Sequence, residues 1–139
     1  MSGFEIKNLA NPLYFEENVL PPHSDHKYYG SEAELASGCS SFKYSLNGLW
    51  HIHVARNLAE RPEGFEGFDY DCSHWDTIAV PAHIQMEGYG KPHYTNTTYP
   101  WDGHEAIVPG ELPQENPVAS YVKYFAVPEG WQDVRISFQ

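Results

Sequence analysis

Positive charge is what this chain has least of. Eight lysines and arginines stand against nineteen acids in 139 residues, giving a formal charge of −11 at pH 7. Phosphate backbones are held by lysine and arginine, so this balance argues against nucleic acid as a partner, and against an anionic membrane surface for the same reason. Cysteine is scarce: Cys39 and Cys72 are too few and too far apart for a disulfide framework or a zinc knuckle, and are expected as free thiols. Long apolar runs are missing, so no segment has transmembrane length. The first ten residues, Met1-Ser-Gly-Phe-Glu-Ile-Lys-Asn-Leu-Ala10, have neither the basic nor the apolar region of a secretory signal. A cytoplasmic protein is the expectation.

What the chain does have is aromatic rings, at 15%, with ten tyrosines, eleven glycines and eleven prolines. That mixture suits one all-β, loop-rich domain rather than a helical bundle.

Residues 1–41 show little periodicity and read as an extended arm, with one short helical turn expected at Ser31-Glu-Ala-Glu-Leu-Ala36. From residue 42 the pattern changes. Asn47-Gly48 is a turn dipeptide, and over 49–55 Trp50, Ile52 and Val54 alternate with His51 and His53, predicting a strand. The two histidines lack a third ligand at metal-site spacing and are expected to point to solvent. Residues 61–71 form a charged connection that Phe65, Phe68 and Tyr70 should pin to the sheet. Its acids Asp69 and Asp71, with Asp76, lack the glycine and twelfth-position acid of a calcium loop. Ile78 and Val80 alternate with Thr77 and Ala79 in a second strand that Pro81 ends. His104-Glu105 lacks the second histidine of a metalloprotease helix. A further strand is predicted over 119–127, apolar on both faces and therefore central. A last one contains Val134, Ile136 and Phe138, and its alternation is still running at Gln139. The expectation is a domain truncated at its C-terminal end, spanning 42–139.

Between the second and third strands lies a long loop dense in Gly, Pro, Asn and Tyr. In it, Tyr94-Thr-Asn-Thr-Thr-Tyr-Pro100 places two phenols, an amide and three hydroxyls in seven residues. Such a surface can hydrogen-bond a polyhydroxylated ligand, or it can be a turn capping its own backbone. Val80-Pro-Ala-His-Ile-Gln-Met-Glu-Gly-Tyr-Gly-Lys-Pro-His-Tyr-Thr-Asn-Thr-Thr-Tyr-Pro100 resembles the N-terminal sugar-binding domain of bacterial β-galactosidases of glycoside hydrolase family 2. Asn18-Val-Leu-Pro-Pro-His23, Ser45-Leu-Asn-Gly-Leu-Trp50, Tyr99-Pro-Trp-Asp-Gly-His-Glu105 and Glu115-Asn-Pro-Val-Ala-Ser-Tyr121 are similar to the same family, in the same order. Ile84 departs from it, standing where many members carry Trp.

The resemblance implies an incomplete jelly-roll β-sandwich, galactose-binding-like, preceded by an arm that reaches a subunit interface in an oligomer. It implies a parent enzyme that hydrolyses terminal β-D-galactosides such as lactose with retention. Retention needs two carboxyl groups about 5–5.5 Å apart, and in the family both are glutamates of a barrel far downstream. No catalytic residue is therefore assigned to this chain, and no metal, since the family's magnesium and sodium use downstream residues. Enzymes lower barriers by about 8–23 kcal/mol, while one positioning hydrogen bond contributes about 1–3; the chain can shape a site without running the reaction. The resemblance makes Asn96 the residue that contacts galactose hydroxyls, with Thr97 and Trp101 lining the same opening. A non-catalytic carbohydrate-binding module, and a donor fragment that complements a truncated enzyme, remain as other readings.

Overall fold

The protein, seen in a computed structural model, is described for residues 5–24, 26–91, 96, 101 and 104–131. Its regular structure is mainly antiparallel sheet. Strand β1 spans Gly48–Ala55, β2 Asp76–Val80 and β3 Val118–Val122, in the order β2-β1-β3. Gly48 opens β1 at φ 117, a backbone conformation that side-chain-bearing residues rarely adopt. Trp50 ties the preceding turn down by donating its indole N–H to the Leu46 carbonyl at 2.8 Å. Beyond Ala55 the chain enters a 3-10 turn, Leu58–Glu60, capped by the Asn57 side chain accepting from the Glu60 amide at 3.1 Å.

Register sorts the side chains. Trp50 lies opposite Ile78, and Ile52 opposite both Asp76 and Tyr121, so these residues share one face with Val54 and Val80. His51, His53, Ala55, Ser120 and Val122 share the other. That second face is not solvated, as the alternation had suggested, because the 61–75 connection folds under it. Trp75 packs 5.4 Å from the His53 ring, with Phe65 and Tyr70 at 6.0 and 5.6 Å from Trp75. Ala55, Cys72, Trp75 and Ser120 are buried there. The Nδ1 atoms of both histidines are buried without a hydrogen-bond partner among the described residues, and both residues are half-buried rather than exposed. The expectation of outward-facing histidines is corrected accordingly.

Strand β3 is shorter than the predicted 119–127. The ladder ends where Lys123 sends its ammonium over the Trp50 ring, 5.7 Å from the centroid, to the carbonyls of Asn47 and Leu49 at 3.3 and 3.4 Å. Side chain replaces main chain as the link at this end of β1. Tyr124 then leaves the sheet to donate its hydroxyl to the Tyr70 carbonyl at 3.0 Å. Among the described residues β1, not β3, is the strand with a neighbour on each side. The strand expected through Val134, Ile136 and Phe138 lies outside the described residues.

Ahead of the sheet, helix α1 spans Glu32–Ser37, one residue on from the predicted turn. None of its residues is buried, so its ends do the stabilising. The Ser31 hydroxyl accepts from the Glu34 amide at 3.2 Å, and Gly38 closes the helix at φ 72. The Glu34 carboxylate also accepts from the Gly30 and Ser41 amides, at 2.8 and 3.1 Å, folding the flanking chain around the helix. No helix of the described residues is long and apolar enough to cross a membrane.

Candidate functional site

Two clefts flank the sheet. The larger, about 440 Å³, is an apolar opening between Trp50, Ile78, Val80, Pro81 and Tyr121, with the Trp50 and Tyr121 rings edge to face at 6.4 Å. It holds no array of donors and acceptors and has the chemistry of a packing surface. The smaller, about 270 Å³, is lined by His53, His74, Trp75, Asp76 and Tyr89 beside Ile52 and Val54. Here the Tyr89 hydroxyl donates to Asp76 Oδ2 at 3.0 Å. Burial, then that hydrogen bond and the Asp76 charge, hold the phenol above its ordinary range. The Trp75 indole N–H is buried and unpartnered. Neither cleft is lined by Asn96 or Trp101.

The polar loop that the sequence singles out has its N-terminal root in a tight turn. His83 and Ile84 carbonyls accept from Met86, Glu87 and Tyr89 amides at 2.9–3.1 Å, and the Tyr89–Asp76 bond joins this turn to the start of β2. Asn96 is exposed. Its amide offers donor and acceptor to a hydroxyl pair without adding charge. Thr97 lies outside the described residues. Trp101 is half-buried, and its indole N–H is committed to the Glu115 carbonyl at 2.7 Å, which leaves the ring faces rather than the polar atom for a ligand.

Sequence reasoning missed what holds Trp101 there. Glu105, which the sequence marks neither as a ligand nor as a fastening, accepts from the Gln114 amide at 2.6 Å and the Glu115 amide at 3.1 Å, one bond to each carboxylate oxygen. Arg56 pairs with the Glu115 side chain, its Nε donating at 2.7 Å. Asn57 Nδ2 donates to the Gln114 carbonyl at 3.1 Å, and the Asn116 amide to the Arg56 carbonyl at 3.1 Å. Partners nine to about sixty residues apart leave no local spacing signal in the sequence.

Several carboxylates are engaged in fastening chain: Glu34, Asp71, Asp76, Glu105 and Glu115 each hold a backbone amide, a hydroxyl or a guanidinium. Ser73, through its hydroxyl and amide, keeps Asp71 below the usual carboxylate range. Among the described residues no three His, Cys, Asp or Glu side chains gather to hold a metal ion. Taken together, these groups can bind and orient a neutral polar ligand.

Residues 43–139 match the model of the glycosyl hydrolases family 2 sugar-binding domain. The chain is 50% identical to a β-galactosidase of Halalkalibacterium halodurans over 90% of its own length, and 42% identical to one of Lactobacillus delbrueckii subsp. bulgaricus over 94%. It is 38% identical, again over 94%, to a protein named β-galactosidase large subunit in Latilactobacillus sakei. The chain spans 13% of each of the first two proteins and 23% of the third.

Proposed function

Because the chain belongs to the sugar-binding domain family of the family 2 glycosyl hydrolases, we propose that it is the N-terminal part of a β-galactosidase and positions the sugar without catalysing its hydrolysis. The observation that carries this reading is the identity to β-galactosidases, 50% and 42%, over nine-tenths or more of the chain. Residues 1–41 act as an arm and 42–139 as the first part of a jelly-roll sandwich, whose second layer covers the apolar face at Trp50 and Tyr121. The partners are the remaining domains of the enzyme and, through the arm, other subunits of an oligomer. The substrate is a terminal β-D-galactoside such as lactose, met in the cytoplasm. The magnesium and sodium of the parent enzyme are held by residues downstream of this chain.

In the assembled site Asn96 hydrogen-bonds galactose hydroxyls, and Thr97 and Trp101 line the opening. A neutral amide suits this place because it orients hydroxyls while leaving the proton affinities of nearby carboxyl groups undisturbed. Contacts of this kind strengthen as the ring distorts toward the transition state. Asn96→Ala in the full-length enzyme is expected to lower kcat/KM for a nitrophenyl galactoside by about ten- to a hundredfold, equivalent to about 1.4–2.7 kcal/mol. An unchanged value removes Asn96 from the site. Retention of the isolated chain on immobilised galactose would instead favour a free-standing binding module.

A further inference from the structure

The loop carrying Asn96 re-enters the described structure at Trp101, and what happens there is unusual for an exposed connection. Two short segments, 101–105 and 114–116, are linked twice in opposite senses. The Trp101 side chain donates to the Glu115 backbone at 2.7 Å, and the Glu105 side chain accepts from the Gln114 and Glu115 backbone at 2.6 and 3.1 Å. Trp101 and Glu105 are themselves one turn, since the Trp101 carbonyl accepts from the His104 and Glu105 amides, both at 3.0 Å. The second segment is tied to the end of β1 through Arg56 and Asn57. An unbroken series of hydrogen bonds therefore runs from the central strand to the C-terminal root of the loop.

We propose that Glu105 is a positioning residue for the sugar, acting through the loop that bears Asn96 and Trp101. The proposal rests on the reading that Asn96 meets the substrate. Glu105 is the member of the series with most leverage. Its carboxylate takes two successive amides, and hydrogen bonds to a carboxylate are roughly twice as strong as neutral ones. The Arg56–Glu115 pair is more than half exposed on both sides and contributes less. Freed from Glu105, Trp101 still has the indole bond to Glu115, about which it can pivot. A displacement of about 1 Å in a positioning group costs on the order of a hundredfold in rate, so a modest shift at the root is felt at the amide.

The test is a double-mutant cycle in the full-length enzyme, with kcat and KM measured separately and the dissociation constant of a non-hydrolysable thiogalactoside measured alongside. Glu105→Ala is expected to weaken thiogalactoside binding about tenfold, in keeping with a loosened positioning group. Glu105→Gln, which keeps one acceptor oxygen and sets an amide NH2 against a backbone N–H, is expected to fall between it and the parent. It carries the test alone where the alanine variant does not fold. In an Asn96→Ala background the Glu105 substitutions are expected to add little, because the group they position is gone. An undiminished Glu105 effect in that background overturns the proposal, as it assigns the carboxylate to general stability. So does a silent Glu105→Gln beside a damaging Asn96→Ala. If Asn96→Ala is itself silent, the sugar-contact reading has failed first, and the inference falls with it.

Discussion

Two side chains carry a pH signature that can be worked out at the residue scale. Backbone amides of Gly30 and Ser41, in that order of effect, hold the Glu34 carboxyl below its ordinary value of 4.5. A depressed folded-state value means stability that is present above the ordinary glutamate range and is lost as pH falls through the depressed one. Glu34→Gln is expected to flatten the acid limb of a denaturation profile below that range, as followed by the urea midpoint. Tyr89 works in the other direction. Its phenol is raised by burial and by Asp76, so its stability contribution is present below the ordinary tyrosine value of 10.0 and drains as pH rises through the raised one. In an ultraviolet phenolate titration, Asp76→Asn is expected to move one tyrosine to lower pH; a superimposable curve counts against the hydrogen bond. The same scale shows how far the sequence could be read. Asn96 and Trp101 stood out through the family resemblance, since the amide and hydroxyl chemistry of 94–100 by itself fits a self-capped turn as well as a ligand surface. Glu105 did not, because its partners are chosen by the folded path of the chain.

At the scale of elements, the alternation of apolar and polar residues located β1 and β2 almost to the residue. It misjudged two things for one reason: periodicity says which side chains share a face, not what covers that face. His53 of β1 packs against Trp75, and β3 stops at Lys123, where an ammonium takes over from the ladder. Ile52, 1% exposed in the strand with a neighbour on each side, is the most enclosed large side chain among the described residues. Ile52→Ala is expected to destabilise the sheet by about 2–5 kcal/mol, as for other buried aliphatic truncations, read from chemical denaturation. Helix α1 has no buried side chain, so its stability resides in its cap. Ser31→Ala is expected to cost about 1 kcal/mol locally, visible as faster amide exchange over 34–37 with the sheet unaffected. Equal protection in both proteins would show that Glu34 alone holds the helix.

At the scale of the molecule, one sheet face is lined with packed aromatics and the other presents Trp50, Val80 and Tyr121 around an apolar opening. Apolar surface of this kind associates, and β2 and β3 each pair on one side only among the described residues. The chain by itself is therefore expected to sediment as concentration-dependent species and to hydrolyse no galactoside. A monomer at every concentration would mean that the apolar opening closes on itself. This scale was the most legible of the three, since family resemblance is spread over many residues and survives an error at any one.

The two thiols differ in a way that experimenters can exploit. Cys39 lies at the surface and Cys72 is buried, its Sγ 3.9 Å from the Tyr124 hydroxyl. A maleimide should therefore modify Cys39 at once and Cys72 only when the structure around it opens. The lag between the first and second mass increments is a built-in clock for this opening, with no foreign probe to install.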